Sequence, residues 1–127
     1  MSEPIKILLA DDDEFFIEMY AKKFRDAGFE VDFALSGESA IQKLQHNTYR
    51  AMLLDLVMEP IDGYEILSRI KKENLAPNTA VVVLSNLGQT DDIERGRSLG
   101  AVDYIVKAYS TPREVVDRVT HYLTQSV

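Results

Sequence analysis

The chain contains no cysteine. That excludes a disulfide framework and any thiolate metal centre, and it suits a reducing compartment such as the cytoplasm, the expected location. Long apolar runs are missing too; none approaches the roughly 20 residues needed to span a bilayer. The start, Met1-Ser2-Glu3-Pro4, lacks the basic residues and apolar stretch of a secretory signal. Positive charge is scarce: 14 Lys and Arg face 21 Asp and Glu, a net charge of −7. This balance disfavours general nucleic-acid binding, which needs a basic face for phosphates, and equally disfavours anionic membrane surfaces. There is no repeat, low-complexity tract or linker, and the 127 residues fit one domain, 1–127.

What remains is an alternation of apolar runs with amphipathic segments. Ile17, Tyr20, Ala21 and Phe24 fall at helical spacing, with Gly28 as a stop. Phe29, Val31 and Phe33 alternate with Glu30 and Asp32, as in a half-exposed strand. Ser36 reads as an N-cap, with Ala40, Ile41 and Leu44 inward, and Asp62-Gly63 marks a turn before a helix with Ile66, Leu67 and Ile70 on one face. Pro77-Asn78 precedes the Val81–Leu84 strand, and Thr90 or Asp91 is expected to cap a helix ending at Gly100. Thr111-Pro112-Arg113-Glu114 combines a capping box with proline at the first helical position; Val115, Val116, Val119, Tyr122 and Leu123 follow as a buried stripe. The pattern is five βα units. Short apolar strands without alternation imply a parallel sheet covered on both faces.

Chemistry-bearing residues sit at the ends of those strands. Asp11-Asp12-Asp13 follows Ile7-Leu8-Leu9-Ala10, Asp55 follows Ala51-Met52-Leu53-Leu54, Ser85 ends Ala80–Leu84, and Lys107 ends Tyr104-Ile105-Val106. In an open α/β sheet, ligands bind in the crevice beyond the carboxyl ends of the strands. Carboxylates crowded there repel unless a cation sits among them. Magnesium, with its preference for oxygen ligands and retained waters, suits such a site. Asp12 and Asp55 are the expected direct ligands, Asp11 the holder of a bound water, and the Val57 carbonyl a further ligand. A carboxylate is also a nucleophile for a phosphoryl group. Asp55 is the candidate, with Lys107 and the cation neutralising phosphoryl oxygens and the Ser85 hydroxyl donating to one of them. Each residue alone has a plainer reading as a cap, a turn residue or a solvated lysine; their joint placement carries the argument. His46 and His121 read as surface residues outside this pocket.

These residues give the chain a resemblance to the receiver domains of two-component response regulators. It extends over Ile7–Asp13, Tyr49–Asp55, Asp62-Gly63, Leu84-Ser85 and Gly100–Lys107, essentially the whole length. The resemblance implies a flavodoxin-like (βα)5 fold with strand order 2-1-3-4-5. It implies phosphotransfer to Asp55 from a histidine kinase or histidine phosphotransfer protein, with magnesium, and action on a downstream protein target. It implies a signalling receiver that assists its own phosphorylation and dephosphorylation, not a turnover enzyme. Ser85 and Tyr104 would be switch residues acting on the surface of the fourth helix, fifth strand and fifth helix, and Val57 and Leu87 would tune dephosphorylation.

Two positions depart from the family pattern. Glu59-Pro60 stands where the family often has proline one residue earlier, and Ala108 follows Lys107 where proline is usual. A cis bond before a non-proline residue costs about 2.5–4 kcal/mol, so Lys107–Ala108 is expected to be trans. Rival readings are a receiver-like interaction module that is never phosphorylated, and a flavin-binding protein of the same architecture. The latter would have to place its phosphate against Asp11–Asp13. A phosphatase resembling the haloacid dehalogenases would carry a second aspartate at the position of Val57.

Overall fold

A computed structural model describes residues 4–124; Met1, Ser2 and Glu3 lie outside it, as does the C-terminal end of the 1–127 span. Along the chain run β1 (Lys6–Ala10), α1 (Glu14–Asp26), β2 (Glu30–Ala34), α2 (Gly37–His46), β3 (Ala51–Leu54), α3 (Gly63–Glu73), β4 (Ala80–Ser85), α4 (Thr90–Ser98), β5 (Asp103–Val106) and α5 (Pro112–Thr124). The strands form one parallel sheet in the order β2-β1-β3-β4-β5.

Side chains alternate across a strand, so each central strand feeds two cores. Ile7, Leu9, Leu53, Val82, Leu84 and Ile105 pack with α1 and α5. Leu8, Ala10, Met52, Leu54, Val81 and Val83 pack with α2, α3 and the partly buried Ile93 of α4. Both faces are covered, which is why these strands read as unbroken apolar runs.

The helix ends follow local chemistry. The Asp13 carboxylate accepts the Phe15 and Phe16 amides at the start of α1, and Gly28 takes φ +97° just past its end. Ser36 caps α2 and Asp62 caps α3. In the α5 capping box the Thr111 amide donates to Glu114 at 2.9 Å and the Glu114 amide donates to the Thr111 hydroxyl at 3.2 Å.

One local expectation needs correction, and one strand residue departs from its neighbours. The N-cap of α4 is Gln89, not Thr90 or Asp91, because the Asp92 carboxylate reaches back to the Gln89 amide. Phe33 is 45% exposed although it shares a strand face with buried Val31. β2 is an edge strand, and a groove beside it is lined by Ile17 and Ala21 of α1 with Phe33 and Leu35. The alternation of direction holds, but Phe33 opens onto this groove and stays half exposed.

Candidate functional site

The register of the sheet builds the site. Ala10 lies opposite Leu54, so Asp11 and Asp55 leave adjacent strands together. The Asp55 amide donates to the Ala10 carbonyl at 3.0 Å, fixing that juxtaposition. Ser85 pairs with Val106, which sets Lys107 one residue beyond it on the neighbouring strand. β1, β3, β4 and β5 thus bring their expected side chains to one end of the sheet.

Asp11, Asp12 and Asp55 each place a carboxylate oxygen within 4.8 Å of the others. Asp11 and Asp55 are buried and Asp12 is exposed, giving the cluster an inner wall and an outer lip. The Lys107 ammonium stands 2.7 Å from Asp11 Oδ2 and 3.5 Å from Asp55 Oδ2. Asp55 is therefore two-sided: Oδ2 faces the ammonium while Oδ1 accepts the Val57 amide at 3.2 Å. Burial pushes the Asp11 carboxyl above its usual range; bonds from Lys107 and the Asp13 amide oppose this, and the charge of Asp55 adds to it. An added cation would relieve that repulsion directly. Three oxygen donors, one of them open to solvent, make a donor set that fits magnesium, which keeps part of its water shell.

Ser85 is fully buried, and its hydroxyl oxygen accepts the Leu87 amide at 3.4 Å. Tyr104 is also buried, its hydroxyl donating to the Leu87 carbonyl and its ring lying under Gly96 of α4. Burial raises the tyrosine's pKa, keeping it a donor. One loop residue, Leu87, thus touches both expected switch residues. Val57 is half exposed at the mouth of the site. The Glu59–Pro60 bond is cis, and Lys107–Ala108 is trans as expected, with Lys107–Tyr109 forming a 3-10 turn. His46 and His121 are exposed and outside the cluster.

Three arrangements were not anticipated. The Phe16 ring lies 4.0 Å below the Lys107 ammonium. Tyr64 of α3 donates to Asp92 of α4 at 3.2 Å, with the Arg95 guanidinium 3.9 Å over its ring. Asp103, buried at the start of β5, accepts a bidentate bond from Arg118 of α5. The only signal for Phe16 was an aromatic residue just after the acidic triplet. The other two pairings join residues of different elements and had no local signal.

A family model described as the response regulator receiver domain matches residues 7–120. This chain is a receiver domain of the response regulator family. It is 35% identical over 114 residues to the probable transcriptional regulator ycf27 of Galdieria sulphuraria, covering 90% of this chain and 43% of that protein. The receiver domain of Francisella response regulator 1452 superposes with a TM-score of 0.89 at 30% identity, covering 98% of this chain and 100% of that one. The BeF3-activated DrrB receiver domain superposes with a TM-score of 0.85 at 28% identity, covering 97% of this chain and 100% of that one. The receiver spans less than half the length of the curated relatives ycf27, the gliding motility regulatory protein of Myxococcus xanthus and SrrA of Staphylococcus aureus. Flavin binding is not favoured, since the segment after β1 carries Asp11 and Asp12, carboxylates that would repel a flavin phosphate. No described helix is long and apolar enough to cross a membrane.

Proposed function

We propose that this receiver accepts a phosphoryl group on Asp55 from a histidine kinase or histidine phosphotransfer protein and, once phosphorylated, changes its affinity for a protein target. The observation that supports this most is the Lys107 ammonium set against Asp55 Oδ2, beside a second buried carboxylate. Asp55 Oδ attacks phosphorus, a P–O bond forms, and the P–N bond to the donor imidazole breaks, the ring leaving with a proton. Lys107 needs only a small movement from Asp11 toward Asp55 to neutralise a phosphoryl oxygen. The Ser85 hydroxyl is available to another. Bound magnesium, held by Asp12, Asp55, the Val57 carbonyl and a water on Asp11, would supply further charge neutralisation. Incubation with a small phosphodonor and magnesium should add one phosphoryl group by intact mass; no addition, with any of a panel of histidine kinases either, defeats the reading.

The acidic cluster should bind magnesium weakly, since much of the ion's shell would stay water. Asp12→Ala should lower affinity by about tenfold or more, a carboxylate being a charged ligand to a hard cation. Magnesium titration followed by NMR tests this, and equal affinity in the variant removes Asp12 as a ligand.

The phosphorylated form should be long-lived. Hydrolysis needs a water aligned behind phosphorus, and neither Val57 nor Leu87 offers that water a side-chain hydrogen bond. Val57→Asn combined with Leu87→Glu should speed decay of the phosphoryl group, followed by loss of the mass adduct. Equal or slower decay counts against it.

Phosphorylation should act on α4, β5 and α5 through Ser85 and Tyr104. A phosphoryl oxygen that accepts the Ser85 O–H draws this side chain toward Asp55, and Ser85 is tied through its oxygen to the amide of Leu87, the residue whose carbonyl holds Tyr104. The expected result is a population shift that favours the buried Tyr104 seen here. NMR shifts confined to the pocket, with none at Tyr104 or α5, would sink this reading.

A further inference from the structure

We propose that Phe16 is a positioning residue for Lys107, its ring face serving as the floor on which the ammonium rests between the two buried carboxylates. The inference rests on the phosphoacceptor reading for its kinetic consequence, but not for its geometry. Lys107 has a side chain only 15% exposed, so its ammonium has lost most of its water. Its donors need partners in exchange. Asp11 takes one at 2.7 Å and Asp55 another at 3.5 Å. The Phe16 ring presents its negative π face to the same nitrogen, with the centroid 4.0 Å away. That is well inside the distance at which a ring attracts a cation.

The ring is itself held. Phe16 is the third residue of α1, and its amide is tied to the Asp13 cap. A helical side chain leans toward the N-terminus, here toward the acidic cluster. One turn further on, Tyr20 stacks on Phe16 with centroids 4.4 Å apart. Phe16 also lines a small recess at the base of the site with Asp11, Asp55, Leu9, Leu53 and Leu84. By contrast its neighbour Phe15 is 83% exposed and takes no part.

The consequence is preorganisation. Asp11 alone would draw the ammonium away from Asp55, because its oxygen is closer by 0.8 Å, from 3.5 to 2.7 Å. A ring below the nitrogen limits that displacement and keeps the charge where a phosphoryl group on Asp55 would develop its own. A leucine at this position would bury similar apolar area but offers no quadrupole.

The test compares Phe16→Leu and Phe16→Met with Phe16→Tyr. In the unphosphorylated protein the Lys107 ε-methylene resonances should lie upfield of free lysine through the ring current. They should move back toward the free position in the Leu and Met variants and stay in the Tyr variant. Phosphorylation by a small phosphodonor should slow about three- to tenfold in Phe16→Leu and recover to within about twofold in Phe16→Tyr, the scale of a partly desolvated cation–π contact. In a Lys107→Ala background Phe16→Leu should cause no further slowing, as coupled residues require. Unmoved Lys107 resonances in both apolar variants, or equal slowing with and without Lys107, overturns the proposal. The resonances are read without any phosphoryl transfer. A wild-type protein that gains no phosphoryl group would therefore defeat the phosphoacceptor reading while leaving this one to be decided by the spectra.

Discussion

Asp55→Asn is expected to abolish the phosphoryl adduct outright while leaving the fold intact. The amide is nearly isosteric with the carboxylate, and its oxygen can still accept the Val57 amide as Asp55 Oδ1 does. What it lacks is the anionic oxygen that attacks phosphorus. No neighbouring carboxylate should substitute. Asp11 is held at 2.7 Å by Lys107 on one oxygen and accepts the Asp13 amide on the other, so each oxygen faces a donor that lowers its nucleophilicity. The variant should also be as stable as the parent, or more so by up to about 1 kcal/mol, because removing one charge relieves repulsion between two buried carboxylates. The charge of Asp55 is one of the causes that raise Asp11. Intact mass after incubation with phosphodonor gives the first result and urea unfolding the second. An adduct that survives in the Asn variant would move the phosphoacceptor elsewhere.

Gly63→Ala should damage stability and chemistry together. An ideal Cβ on Gly63 would lie 2.5 Å from the Asp55 carbonyl oxygen and 2.6 Å from Leu56 Cα. Both are backbone atoms, so no side-chain rotation relieves the clash. The backbone is held from both sides, since the Asp55 amide donates to Ala10 and the Gly63 amide donates to Leu56. Relief requires α3 to retreat or β3 to shift, and the second displaces the Asp55 carboxylate itself. A loss of about 3 kcal/mol is expected, at the upper end of overpacking costs because the obstacle cannot repack. Phosphorylation should slow even in the fraction that remains folded. Gly28→Ala and Gly100→Ala provide the contrast. Nothing lies within 4 Å of a Cβ at either, and their cost, about 1 kcal/mol, comes from positive φ alone. Chemical denaturation of the three variants side by side, with phosphorylation rates, separates these mechanisms. A Gly63→Ala midpoint no lower than the other two would show that the β3–α3 loop yields easily.

Much of this receiver was legible in its sequence because the interactions concerned are local. A capping box such as Thr111 with Glu114 joins residues three positions apart, and so does the Ser36 cap on Ser39. The inward stripe Ile17, Tyr20, Ala21, Phe24 follows from helical periodicity alone. The strand-end placement of Asp11, Asp55, Ser85 and Lys107 was readable for a related reason. A parallel sheet sends all its carboxyl ends to one side, so residues at those ends meet whatever the loop details.

Contacts between elements were decided by tertiary structure, because they depend on register, helix offset and rotamer. Lys107 prefers Asp11 to Asp55 by distance, which no spacing in the chain foretold. Phe16 became the floor of the site because α1 begins at Glu14 and tilts that ring toward β5. Phe33 kept the strand period yet stayed half exposed, since burial needs a covering helix as well as a direction. Gln89 took the cap of α4 from Thr90 and Asp91 because the Asp92 carboxylate lay within reach of its amide. Asp103 found Arg118, and Tyr64 found Asp92, only when β5 met α5 and α3 met α4. Periodicity and capping act over one turn or one strand pair and are written in neighbouring residues. Which distant side chains touch is set by how whole elements pack, a property of the folded chain.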